Sequence, residues 1–298
     1  MKLESIYEVA IYQHKLWALK MKEARSQQEA NEIQCKRLDS FRLSLEAHIY
    51  HYLIERYGQQ LDEHWQTYLP PKKADHAFVI VERRPHHNFW FVLRNIAWAN
   101  PYMSVYIFCS DENIDFVNSL LGDKKDNFNV IQAFTGNASR ERGKKEVDNL
   151  LSNHKTYDSI DAEYIMTVEM DTFYRKKVLP TIFQGTYWGN PWGWKAETPG
   201  GGGCTIRNIK AVSRVCKQMN PDENKDLFTA QDAWLSDTCH DLKEPCPDLP
   251  FRANHIMENI PVYDPVAIHQ FWTFLDSHDI TDKTKFINNL KRILSFDI

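Results

Sequence analysis

An acidic pair closes an apolar run in this chain: Tyr164-Ile165-Met166-Thr167-Val168 leads directly into Glu169-Met170-Asp171 and then Thr172-Phe173. The run has the length and the β-branched and aromatic content of a buried strand. Alternation along an extended backbone puts Glu169 and Asp171 on one side. They stand at the strand's C-terminal end, the edge where ligands of open α/β sheets collect. Two oxygen ligands there can hold a hard divalent cation with an anionic phosphate beside it. Two solvated acids at a strand exit is the plainer alternative.

Other chemistry-bearing residues follow. Tyr187-Trp188-Gly189-Asn190-Pro191-Trp192-Gly193-Trp194 places three tryptophans in a stretch that reads as a loop. They form either an apolar cluster or flat faces on which a sugar ring can stack. Gly200 to Gly203 precede Cys204-Thr205-Ile206-Arg207-Asn208. Four glycines in a row are not expected in a core element; they suit a hinge or a close backbone approach to a ligand. Asp232 stands at the start of a short helix, as a cap or as a general base toward a hydroxyl. His269 sits among apolar residues, as a core histidine or a third metal ligand. Glu82-Arg83-Arg84-Pro85-His86-His87 follows the first strand and is either an exposed turn or a contact for a base, ribose or phosphate. The basic run from Arg140 to Lys145 reads as a solvated helix start.

The elements that position these residues show in the hydrophobic pattern. Residues 1–66 lack proline, and apolar residues recur at three- and four-residue steps, which predicts two or three amphipathic helices. They pack on their own domain, on a second copy as a homodimer, or on another partner, in that order of expectation. Pro70-Pro71 ends the pattern, dividing a helical extension, 1–70, from an α/β domain, 71–298. Strands are expected at 78–81, 104–109, 129–134 and 164–168, with helices at 88–98, 113–121 and 142–151. Such βα units argue for a doubly wound, mostly parallel sheet. No GxGxxG follows the first strand, which disfavours a dinucleotide fold of the usual kind. Past Asp171 the chain reads as irregular apart from the short helix at Asp232, and its tail ends in a helix at 283–294.

Composition bounds the rest. The chain has 298 residues, 43% hydrophobic and 13% aromatic, enough for one sizeable α/β domain with an appendage. Lys and Arg number 36 against 40 Asp and Glu, so no global basic field recruits nucleic acid. The six cysteines lack CxxC spacing, which fits reduced thiols better than disulfides or a zinc site. No apolar run reaches the roughly 18 residues of a membrane span, and the N-terminus does not read as a signal peptide, so a cytoplasmic location is expected.

From Ala77 to Trp272 the order of these segments resembles a glycosyltransferase family of GT-A fold, found in microbes and large DNA viruses, chloroviruses among them, and long labelled only as a domain of unknown function. The resemblance is best at Val81 to Pro85 with Arg94-Asn95, Glu163 to Thr172, Gly189 to Asn208 and His269 to Trp272. It implies a divalent metal, Mn²⁺ or Mg²⁺, on Glu169, Asp171 and His269. It places Gly202, Gly203 and Cys204 in the floor under donor sugar and acceptor, and donor or nucleotide contacts on Glu82, Arg83, Arg84, Arg94 and Met170. Trp192 and Trp194 would face the acceptor. Glu169 stands where many GT-A enzymes carry Asp. Gln231 replaces the Glu of the family's Glu-Asp pair, leaving Asp232 as the base.

The implied activity is inverting transfer from a UDP-sugar, with xylose the first guess, to a hydroxyl of a glycan. The competing classes are a metal-dependent nucleotidyltransferase or phosphohydrolase using the same acids, and a carbohydrate-binding protein without turnover.

Overall fold

The computed structural model describes residues 2–136, 138–220, 229–262, 264–277 and 279–298. Two helices come first, α1 (Leu3–Glu23) and α2 (Gln27–Thr67). The Ser26 hydroxyl caps α2 by accepting the Glu29 N–H, and Ser40 Oγ donates to Gln13 Oε1 at 2.8 Å, tying the hairpin together. From Phe41 to Trp65, every fourth residue of α2 is buried. That stripe joins one core with the sheet, so the chain's own domain covers it, the first of the three arrangements expected for these helices.

The α/β part runs β1 (His76–Val81), α3 (Phe89–Ala99), β2 (Ser104–Ser110), α4 (Ile114–Leu121), β3 (Asn129–Phe134), α5 (Arg140–Ser152), α6 (His154–Asp158) and β4 (Tyr164–Val168). It continues with β5 (Thr172–Tyr174), β6 (Tyr187–Asn190), β7 (Gly201–Asn208), α7 (Ile209–Met219), α8 (Gln231–Asp241) and α9 (Leu249–His255). Strands β8 (Ile256–Met257) and β9 (Ala267–His269) and helix α10 (Lys283–Ile293) complete it.

The main sheet has the order β3-β2-β1-β4-β7-β6. Its first three pairings are parallel and the last two antiparallel. Both faces are covered, as a parallel sheet requires. Phe78 and Ile80 of β1 join the core beneath α2 and α3, while Ala77 and Val79 face a second core with α7 and α8. This is the doubly wound, mostly parallel α/β architecture with N-terminal helices that the pattern predicts.

Downstream of Asp171 the structure departs from the expectation of loops. The tryptophan stretch begins as β6, and Gly201 to Gly203 open β7, a buried member of the sheet. Their lack of side chains suits a strand that other groups must approach closely. Helices α7 and α9 were also not expected there. A second sheet of order β5-β9-β8 pairs Thr172 with His269, antiparallel. Among the described residues no helix is long and apolar enough to cross a membrane. All six cysteines are free, and Cys109, Cys204, Cys216 and Cys239 are buried.

Candidate functional site

The turn between β4 and β5 carries Glu169, Met170 and Asp171. Its conformation is fixed from both sheets: Glu169 N–H donates to Gly203 O at 3.2 Å, and Gln270 N–H to Asp171 O at 3.0 Å. The Thr172–His269 register of the small sheet therefore sets His269 beside Asp171, although nearly a hundred positions separate them in sequence. His269 Nε2 lies 3.1 Å from Asp171 Oδ1 and 3.5 Å from Glu169 Oε2. Glu169, Asp171 and His269 can each direct one ligand atom at a common point, all within 4.8 Å of one another.

The ring is nearly inaccessible, and both His269 Nε2 and Asp171 Oδ1 are buried without a hydrogen-bond partner of good geometry. Such orphaned atoms are costly unless something satisfies them. Burial opposes charge on His269, yet the Asp171 and Glu258 carboxylates hold its pKa well above the ordinary imidazole value. Burial alone would raise the Asp171 carboxyl; His269 beside it brings it below the usual carboxylate value. Acidic oxygens and one imidazole around a common point form a donor set for a hard or borderline divalent ion, Mn²⁺ or Mg²⁺ included.

The glycines of β7 make this packing feasible. A Cβ on Gly203 would lie 2.5 Å from His269 Nε2 and 2.7 Å from Glu169 Cδ. Gly202 adopts φ +94°, and a Cβ there would lie 2.4 Å from Glu258 Oε2. On the same strand, Gly202 N–H donates to Asp232 Oδ2 at 2.8 Å. Asp232 does not act as the cap of its helix: the N-cap is Ala230, with no side-chain bond. The start of α8 is instead fixed by Gln231, whose N–H donates to Asp148 Oδ1 at 2.9 Å and whose Oε1 accepts from the buried Arg207 Nη2 at 2.9 Å. Asp232, Glu169 and His269 thus meet along three residues of β7, with Asp171 beside His269.

The other expected site residues divide. Trp192 is largely buried against Gly201 and Asp232, while Trp194, 70% exposed, stacks parallel to it at 6.1 Å. Glu82 accepts both guanidinium N–H groups of Arg84 at 2.9 Å, and Arg84 remains largely exposed. Arg83 turns inward to Glu146 at 2.6 Å and to Gly136 O at 2.9 Å.

Three placements correct the expected donor and acceptor contacts. Arg94 faces away from the acids: it sits over the rings of Trp65 and Trp90 and donates to Asp62 at 2.6 Å, because that face of α3 packs on α2. Strand alternation turns the Cys204 side chain into the core beside Tyr174, where burial pushes the thiol up to about 12. The Met170 side chain is buried in the core as well, while its carbonyl accepts from Asn88 Nδ2 at 3.0 Å. We expect Arg94→Ala to lower stability by about 1–3 kcal/mol through its lost ring and ion-pair contacts. Urea unfolding and cation titration check this; weakened binding at the acid cluster would show the placement to be wrong.

Sequence reasoning missed two acids. Glu46 of α2 accepts from Asn88 Nδ2 at 2.9 Å and lies 3.8 Å from both His86 Nε2 and His87 Nε2. Burial and the charge of Asp171 raise the Glu46 carboxyl to about 6. This second trio is poorly set for a metal, because Asn88 N–H donates to His86 Nδ1 at 3.2 Å, which leaves the ring's proton on Nε2. Burial lowers His86 to about 4, so the ring is neutral at pH 7 and offers Nε2–H as a donor. The other acid is Glu258, which no spacing signal marks.

Residues 131–255 match a family described as "Protein of unknown function (DUF5672)". No curated protein matches the chain in sequence. Among solved structures, the apo form of mouse xyloside xylosyltransferase 1 is 9% identical, with 66% of this chain and 97% of that chain covered and a TM-score of 0.44. The apo-form glycosyltransferase GlyE of Streptococcus pneumoniae TIGR4 is 8% identical, with coverages of 75% and 65% and a TM-score of 0.45. The 4-diphosphocytidyl-2C-methyl-D-erythritol synthase of Anaerococcus prevotii DSM 20548 is 10% identical, with coverages of 55% and 81% and a TM-score of 0.35. Likenesses of this size assign no activity to the chain.

Proposed function

We propose that the chain is an inverting, divalent-metal-dependent glycosyltransferase of GT-A type that moves a sugar from a UDP-sugar to a hydroxyl of a glycan. The convergence of Glu169, Asp171 and His269 with Asp232 along the glycines of β7 carries this reading.

Glu169, Asp171 and His269 would hold Mn²⁺ or Mg²⁺, which when bound relieves charge on the departing diphosphate. The Gly202-Gly203 backbone, bare of side chains, lets the donor sugar come close to the strand. Trp192 packs beside Gly201 and, with the exposed Trp194, offers flat faces for an acceptor glycan. Asp232 reaches this floor from the α8 side. There it takes the proton of the attacking hydroxyl as the new bond to the anomeric carbon forms and the bond to UDP oxygen breaks, which inverts the configuration. Arg84, largely exposed and paired with Glu82, would offer its charge to the phosphates.

The deciding experiment is a thermal-shift panel of nucleotide sugars, led by UDP-xylose, with and without Mn²⁺, followed by product analysis. A ligand that binds only the folded state raises Tm, adding about 2.7 kcal/mol of stability at a hundredfold its Kd. We expect a shift for a UDP-sugar that requires Mn²⁺, and release of UDP once acceptor is added. Release of pyrophosphate or free phosphate would replace this reading with nucleotidyl transfer or hydrolysis. Glycan binding indifferent to both Mn²⁺ and UDP would leave only a carbohydrate-binding protein.

A further inference from the structure

Glu258 immediately follows β8, and the parallel pairing of Met257 with Ile268 sets it one step from His269 on the neighbouring strand. Its Oε2 lies 3.3 Å from His269 Nδ1, and it is 7% exposed. Two further groups hold it: Asn190 Nδ2 donates to Oε2 at 3.3 Å and Gln270 Nε2 to Oε1 at 3.4 Å. The missing side chain of Gly202 leaves the space that this carboxylate occupies.

What makes Glu258 informative is a competition at Nδ1. The Gly203 N–H also points at that nitrogen, at 3.2 Å. If Nδ1 accepts from Gly203, the ring's proton sits on Nε2, and the histidine has no lone pair for an ion. If Nδ1 instead carries the proton and donates it to Glu258, Nε2 turns a lone pair toward Asp171 Oδ1 and Glu169 Oε2. An imidazole that ligates through Nε2 keeps a single proton, on Nδ1, and cannot satisfy both neighbours at once. His86 shows the other outcome, since its Nδ1 accepts the Asn88 backbone N–H. A carboxylate behind a ligating histidine fixes both tautomer and ring orientation and strengthens the ligand.

We propose that Glu258 is a positioning residue for the ion: it draws the proton of His269 to Nδ1 and so makes Nε2 a metal ligand. This rests on the metal-dependent reading above and adds to it a residue that touches neither substrate nor ion.

The test measures Mn²⁺ binding by calorimetry for the wild type, Glu258→Ala and Glu258→Gln, with circular dichroism as the check on folding. It also records the ring ¹⁵N shifts of His269 with and without saturating diamagnetic Mg²⁺. We expect Glu258→Ala to weaken Mn²⁺ by about 10–100-fold, the usual size of such second-layer effects. Glu258→Gln should lose less, because its amide oxygen can still accept from Nδ1–H. In the wild type, Mg²⁺ should move the His269 signals to the Nδ1-protonated form. Wild-type Mn²⁺ affinity in the folded Ala variant, or an Nε2-protonated His269 at saturating Mg²⁺, overturns the proposal. Should the Ala variant fail to fold, the ¹⁵N shifts of the wild type decide. A wild-type protein that binds neither ion removes the metal reading itself, a result separable from a wild type that binds and a variant that binds equally well.

Discussion

Replacing Gly203 by alanine should abolish cation binding while leaving a folded protein. The added methyl would stand 2.5 Å from His269 Nε2 and 2.7 Å from Glu169 Cδ, well inside contact distance. His269 cannot yield, being buried between Asp171 and Glu258, whereas Glu169 is half exposed and can swing into solvent. The ligand set would then lose an oxygen and have a methyl group at its centre. Overpacking of this kind costs about 1–3 kcal/mol, which a domain of this size tolerates. Displacing a group by about an ångström costs ~10²-fold or more in turnover. The checks are Mn²⁺ calorimetry and transfer rate side by side with the melting curve. A Gly203→Ala protein that binds Mn²⁺ as the parent does would mean that Glu169 and His269 are not the ligands.

Asp232→Asn should reduce transfer by about 10²–10⁴-fold, the usual range for a lost general base. Asparagine is the sharper substitution here: its Oδ1 can still accept the Gly202 N–H, so the start of α8 and the floor of β7 keep their contact. Only the ability to take a proton disappears. Donor and Mn²⁺ affinity, read by thermal shift, should stay near the parent's, so the defect appears in kcat. A variant with near-parental kcat would assign the proton to another group and would reopen the question of stereochemistry.

The first half of the α/β fold is legible because buried parallel strands leave uninterrupted apolar runs. β1 to β4 sit within a few residues of the expected boundaries, and β3 and β4 match theirs. β7 is illegible for a physical reason. Its opening residues have no side chains, since Asp232, Glu258, His269 and Glu169 need that volume, and a run of glycine looks like a hinge. α7 had a readable stripe, Ile209, Val212, Val215 and Cys216, but it lies in a region whose glycine and tryptophan content suggests loops. The acid pair declares itself through its strand. His269 does not, because its position depends on pairing between two strands of three residues, and Glu258 depends on a strand of two. Arg94 misled for a related cause: nearly all of α3 is buried, so residue type does not say which neighbour each face meets.

The proposed ligands are drawn from two separate sheets: Glu169 leaves the large one, whereas Asp171 and His269 flank the β5–β9 pairing of the small one. A cation gripped by all three would therefore work as a rivet across a seam that otherwise relies on a few backbone bonds and side-chain packing. Loading the ion and stiffening the joint become one event, and the protein's resistance to heat or proteases should climb with free metal concentration even when no sugar nucleotide is present.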